Sequence, residues 1–159
     1  ESSGTTLVDY SGNGSDGTIV SAPPVEEFTL VANDWIGAEL VTNGSFTTDS
    51  DWTKQAGWTI SGGKAVAVAP SSSGFNLSQS NVLTAGVPHE ITFTVSDRTA
   101  GGVRFRNSSV NGTTRSANGT FTEIITPAGH VFSLQGLDSF VGKIDNITVK
   151  EYAITPLNV

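Results

Sequence analysis

What most constrains this chain is a two-residue alternation of apolar and polar side chains, cut at short intervals by turn-forming pairs. In "PHEITFTVSD" (88–97) Ile91, Phe93 and Val95 fall on one side of an extended backbone and Thr92 and Thr94 on the other. That is how a strand with one dry face reads. Comparable runs stand at 56–61 ("AGWTIS"), 64–69 ("KAVAVA"), 75–79, 102–107 ("GVRFRN"), 112–116, 120–126 ("TFTEIIT"), 130–135 ("HVFSLQ") and 142–150 ("GKIDNITVK"), with a further strand read at 38–43. Between them lie Ser61-Gly62-Gly63, Ala85-Gly86, Ala100-Gly101-Gly102, Asn111-Gly112, Asn118-Gly119 and Pro127-Ala128-Gly129. Gly and Asn accept the positive φ that tight turns demand. No helical period competes with this pattern, and short strands at roughly 8–12-residue spacing predict an all-β antiparallel sandwich or barrel.

Two segments do not fit a single register. In "TFTEIIT" Phe121 and Ile124 or Ile125 must choose sides, which predicts a bulge there. In "GKIDNITVKEY" Ile144 and Ile147 fall on opposite faces, so burying both requires a bulge near Asp145-Asn146.

Size and composition narrow the function classes. A chain of 159 residues suits one domain with appended arms. Charged residues are only 14%, but eight Phe and three Trp supply too much apolar surface for a disordered chain. The net charge of −7 opposes a phosphate backbone or an anionic membrane, so nucleic acid is not an expected partner. With no Cys, disulfides and thiolate chemistry are excluded together. No apolar run approaches the ~20 residues of a membrane span. A start at Glu1 rather than Met reads as a processed form or an excerpt.

The expected organisation is an N-terminal arm over 1–36, a sandwich over 37–152 and a short tail over 153–159. The arm's "ESSGTTLVDYSGNGSDGTIVSAPP" ends in Pro23-Pro24, a stiff extended linker. Its β-hairpin would turn at Asn13-Gly14 or Asp16-Gly17.

"ELVTNGSF" (39–46), then Trp52, "GWTISGGKA" (57–65) and the terminal "FVGKIDNITVKE" (140–151) together resemble the galactose-binding-like jelly roll of carbohydrate-binding modules. The copies found in bacteriophage head-decoration, tail-fibre and tail-tip proteins are especially similar. The resemblance covers about residues 37–152. It implies an antiparallel jelly-roll β-sandwich whose first and last strands lie side by side. Glu39, Leu40 and Val41 would enter the sheet, Asn43-Gly44 would turn the chain, Phe46 would plug the core, and Trp52 and Trp58 would cover it.

For function, the resemblance implies a non-catalytic module at a virion surface or in an extracellular protein. Its partners would be other copies of itself, virion or surface proteins, and glycans of a host. Two rival roles share the pattern: a carbohydrate-binding module of a secreted bacterial enzyme or adhesin, and a filament subunit that donates Leu7 to Val20 to the next protomer's sheet.

The resemblance also implies a structural calcium at Glu39, Asn43 and Asp145, oxygen donors of the kind Ca²⁺ selects. Relatives that hold the ion carry an acid after the first motif's aromatic, where this chain has Thr47. Asp145 equally reads as an acceptor for turn amides. For a glycan, the candidates are Trp35 and Phe75 as aromatic platforms with Arg104, Arg106 and Gln135 as polar partners; Tyr10, Phe105, Phe140, Arg115, Gln79 and Asn107 are the wider set. "VRFRN" sets Arg104 and Arg106 on the face opposite Phe105. Catalysis has no such support. His89 and His130 begin strands without an acid or nucleophile motif, no two carboxylates stand out as a pair, and "SGNGSDG" lacks the Lys of a phosphate loop.

Overall fold

The computed structural model describes residues 6–7, 17–18, 31–68 and 74–156. The chain divides into two compact units, one from residues 1–31 and 156–159, the other from residues 32–155. In the first, β1 (Thr6–Leu7) pairs antiparallel with β2 (Gly17–Thr18), Leu7 facing Gly17. The expected hairpin is therefore present, with Gly17 in its ladder. Asn13-Gly14, Asp16, Tyr10 and the Pro23-Pro24 linker lie outside the described residues.

The second unit is all-β, with no helix among its described residues, so none there is long and apolar enough to cross a membrane. Its strands are β3 (Val31–Ile36), β4 (Thr53–Lys54), β5 (Trp58–Ser61), β6 (Lys64–Ala67), β7 (Phe75–Gln79), β8 (His89–Asn107), β9 (Val110–Asn111), β10 (Gly119–Ile125) and β11 (Phe132–Pro156). The two long strands organise the rest. The early part of β8 and the late part of β11 form one sheet, in the order β10-β8-β11-β6-β5. The late part of β8 and the early part of β11 form the other, in the order β4-β7-β11-β8-β9. β3 pairs with β11 as well. The result is the antiparallel β-sandwich that the sequence predicts, with each long strand passing from one sheet to the other.

Inward-facing side chains of both sheets make the core. Ile91, Phe93, Val95, Ile144, Val149, Ala65 and Ala67 come from the first sheet, and Leu77, Val103, Phe105, Phe132 and Leu134 from the second, all essentially inaccessible to water. Aromatic rings tie the layers together. Trp58 packs on Phe75 and Phe140 at centroid distances of 5.6 and 6.0 Å, Trp52 on Phe46 and Phe132 at 5.2 and 6.0 Å. Both indoles donate to backbone, Trp58 Nε1 to Phe75 O at 3.2 Å and Trp52 Nε1 to Asn43 O at 3.0 Å, so neither polar tip is buried unpaired.

A strand can serve two sheets only if it bends. In β11 the ladder advances from Leu137 to Val141 while β8 steps only from Gly102 to Ala100, and the compensating slip follows before Lys143, which faces Ser96. Asp138 and Ser139 on one strand, and Asp97 and Gly101 on the other, take up the extra length at positive φ. The corner is stapled by Arg98, whose Nε donates to Gly101 O at 2.6 Å and whose N–H donates to Asn118 Oδ1 at 2.9 Å. At Gly101 a Cβ would lie 2.3 Å from Leu137 O and 2.5 Å from Phe140 N, so glycine is required both for its φ of +62° and for the room it leaves.

Four expectations are settled by this register. The bulge near Asp145-Asn146 exists: pairing slips between Asp145 and Thr148, Asn146 has φ of 50°, and both Ile144 and Ile147 are buried. The bulge expected in 120–126 does not. β10 pairs with β8 in unbroken register from Gly119 to Ile125, and Ile124 is left exposed; an edge strand can leave one isoleucine in water at small cost. The strand expected at 38–43 is a loop, and that at 112–116 reduces to a single bridge between Arg115 and Val103.

Gly101→Ala should lower unfolding free energy by about 2–3 kcal/mol, the sum of left-handed strain and a backbone clash. Gly62→Ala, with φ of +61° and open space around it, should cost only about 1 kcal/mol. Urea denaturation of the two variants separates the terms; equal losses would show that the corner has room. At the same corner, Lys143 Nζ lies 2.7 Å from Asp97, and that hydrogen bond with the attraction of the ammonium holds the Asp97 carboxyl below the usual carboxylate range. A carboxyl lowered in the fold contributes fully above its unfolded pKa and loses that contribution as pH falls through its folded value. Lys143→Gln should accordingly raise the Asp97 titration midpoint followed by NMR.

Candidate functional site

Two regions gather the residues singled out in the sequence. The first is the seam where "ELVTNGSF" meets the end of β11. Leu40 N–H donates to Val149 O at 3.0 Å and Ile147 N–H to Gly44 O at 3.0 Å, so the two end motifs do lie side by side. Between these contacts the backbone is replaced by a side chain. Glu39 Oε1 accepts the buried Val149 N–H at 2.7 Å and the Val41 N–H at 3.1 Å. One carboxylate oxygen thus stands in for a ladder carbonyl, and the segment joins the sheet as a loop.

Past it, Asn43 at φ of 54° turns the chain, and Phe46 N–H closes the turn on Asn43 O at 3.1 Å. Phe46 then drops into the core, as expected, with Trp52 packed against it and Trp58 buried in the same core. The Asn43 amide nitrogen donates to Thr48 O at 2.8 Å and Ser50 O at 3.2 Å, and its oxygen accepts from Thr47 Oγ1 at 3.2 Å.

Each of the three residues that the resemblance assigns to a calcium makes hydrogen bonds within the protein. Asp145 Oδ2 already faces the Lys64 ammonium at 3.0 Å, and its Oδ1 accepts the Asn146 N–H at 2.7 Å, the turn-amide role. Glu39 and Asn43 are committed to backbone groups. Among the described residues no group of three or more His, Cys, Asp or Glu could hold a metal ion.

The second region is the outer face of the β4-β7-β11-β8-β9 sheet. Leu77, Leu134 and Phe105 form a cross-strand row pointing inward. The next row points out: Gln135 stands opposite Asn76 on one side and Arg104 on the other. Arg104 donates from Nε and Nη2 to Gln135 Oε1 at 3.3 and 3.1 Å, which locks the guanidinium plane across two strands. Asn76 N–H donates to Gln55 Oε1 at 2.8 Å, and Asn76 Oδ1 is buried without a partner. Ser78 faces Ser133 in the row beyond, and the exposed Arg106 faces Asn111.

Of the sequence-derived glycan candidates, Arg104, Arg106 and Gln135 are brought together here. Phe75 is not among them: it is 4% exposed and belongs to the core against Trp58, and Phe105 and Phe140 are also core residues. Trp35 lies in β3, and its side chain lies outside the described residues. Gln79 instead braces the first loop, its amide bonding Thr42 N–H at 2.9 Å and Thr42 O at 2.9 Å. Asn107 is buried and spans Val131 O and Ala128 N–H at 2.6 and 3.0 Å. Arg115 sits 5.1 Å over the Phe121 ring beside Glu123. His89 is buried between Val87 O at 2.7 Å and Thr84 N–H at 3.3 Å, a clamp on the loop before β8. Asn76 and Ser133 were missed from sequence; only their position opposite Gln135 and Ser78 reveals them.

No family model matches the chain, and no curated protein matches it. Among solved structures it is similar to a CBM4 structure, at 17% identity and a TM-score of 0.41, over 72% of this chain and 98% of that one. It is also similar to the enzymatically active domain of tailspike protein 4 of bacteriophage CBA120, at 16% identity and a TM-score of 0.38, over 74% of this chain and 21% of that one. The chain thus spans about a fifth of the tailspike chain, and scores of this size leave function to be argued from geometry.

Glu39→Ala should leave the Val149 N–H buried without an acceptor and cost about 1–3 kcal/mol, whereas Glu39→Gln, which keeps an oxygen in place, should retain most of the stability. Thermal unfolding of both variants tests this; equal losses would mean that charge rather than the hydrogen bond holds the seam.

Proposed function

We propose that the chain is a non-catalytic module of a virion-surface or other extracellular protein, working beside further copies of itself, and that it contacts glycans through the outer face of the β4-β7-β11-β8-β9 sheet. One observation carries this reading: the row of Asn76, Gln135 and Arg104 across three strands, in which the buried Gln135, packed against Gly74, holds the half-buried Arg104 guanidinium beside the exposed Arg106. Sugars present rows of hydroxyls that both donate and accept, and they are recognised by such pre-positioned polar groups on rigid elements. The hydroxyls of Ser78 and Ser133 extend the same surface. The virion setting is supported by the resemblance of the two end motifs to phage modules, and the sandwich itself would equally serve a secreted enzyme's binding module.

Ser133 lies at the middle of this face and Thr122 on the outer face of the opposite sheet. On a glycan array the native chain should bind a defined set of sugars; Ser133→Trp should weaken that binding at least tenfold and Thr122→Trp should leave it unchanged. Loss in both variants, or in neither, would remove the face from the function.

A further inference from the structure

We propose that this face selects sugar polymers carrying carboxylates, such as uronic or sialic acid residues; the inference rests on the glycan-binding reading above. The first ground is where charge is placed. The chain holds fifteen Asp and Glu against eight Lys and Arg, yet none of the fifteen acids lies on the strand segments of this sheet: Thr53–Lys54, Phe75–Gln79, Phe132–Leu137, Gly102–Asn107 and Val110–Asn111. A protein acidic elsewhere would repel an anionic polymer at long range. A set of strands that contributes two arginines and no acid of its own, with Asp49 held on Lys54 at its β4 edge, is the place on these sheets where such a polymer gains by docking.

The second ground is that, among the described residues, these arginines have no ion-pair partner. The ion pairs among the described residues are Lys54 with Asp49, Lys64 with Asp145, Arg115 with Glu123 and Lys143 with Asp97. Arg104 and Arg106 take part in none of them. They stand two residues apart on one face, so their backbone positions are roughly 7 Å apart. Two like charges that close, unneutralised, disfavour the bare surface and favour a surface with an anion between them.

The third ground is orientation. Gln135 Oε1 accepts from Arg104 Nε and Nη2, and Gln135 is itself 5% exposed, so the guanidinium is held from below. Its Nη1 edge donates no hydrogen bond to the described residues, and Arg106 beside it is exposed. A guanidinium fork fits the two oxygens of a carboxylate in a plane. The neutral hydroxyls of the same polymer would then meet Ser78, Ser133 and Asn111.

Isothermal titration calorimetry on the full chain tests this with five polymers: polygalacturonate, its fully methyl-esterified form, polysialic acid, dextran sulfate and dextran. At least one carboxylated polymer should bind tenfold or more tightly than the methyl ester and dextran, and its binding should weaken as salt is raised. Arg106→Gln, a surface change, should cut that binding at least tenfold, with Arg106→Lys recovering only part of it. Equal affinity for the acid and its methyl ester would overturn the acidic preference while leaving a glycan face in place. Stronger binding to dextran sulfate than to either carboxylated polymer, or indifference to Arg106→Gln, would show general polyanion attraction and overturn it too. Absence of binding to all five, with an empty glycan array, would remove the glycan face and this inference together.

Discussion

Everything in the sandwich depends on two strands being able to turn a corner. β8 and β11 run side by side through both sheets, and each must leave one layer and enter the other without losing its partner. The ladder permits this because the extra residues of one strand, Asp138 and Ser139, are offset by those of the other around Asp97 and Arg98. Gly101 allows the two backbones to approach where the bends cross. A strand pair that bends together keeps its hydrogen bonds, and a sheet that would otherwise be flat and edged becomes a nearly closed core. The aromatic contacts of Trp58 with Phe75 and Phe140 follow from that corner, since it brings inward faces of both sheets into range of one indole.

The seam shows the same economy with different chemistry. A loop that enters a sheet leaves amides exposed inside the protein, and unpaired buried amides are costly. Glu39 and the bulge at Asn146 each satisfy one of them, the carboxylate accepting the Val149 amide while the bulge turns Ile147 N–H toward Gly44 O. Glu39 Oε1 and both carboxylate oxygens of Asp145 are engaged by the fold's own amides and by Lys64.

Much of this was legible in the chain. Period-two alternation located most strands, because burial of one face dictates it, and the conflict between Ile144 and Ile147 gave away the bulge. Other features were hidden for physical reasons. Residues 38–43 alternate like a strand, but pairing there is made by a side chain, which no periodicity reports. Phe121 and Ile125 keep a plain register because Ile124 is allowed into water at an edge. Phe75 looked like a platform for a ligand; its alternation with Asn76 fits either face, and only the cross-strand partner Gly136, over which its ring lies, puts it inside.

The polar face was half visible. The i, i+2 spacing of Arg104 and Arg106 says that they share a side, and the apolar neighbour Phe105 says that the side is outward. What the sequence withholds is registry between strands: Gln135 is 31 residues from Arg104 along the chain yet directly opposite it in the sheet. That registry is set by the corner, because the slip between Leu137 and Val141 decides which residue of β11 meets which residue of β8. Shift the ladder by one residue and Gln135 would point into the core while Leu134 faced water. The geometry of this polar face is therefore a consequence of how the strands bend some distance away, and a change at the corner would alter it through the register without touching any of its residues.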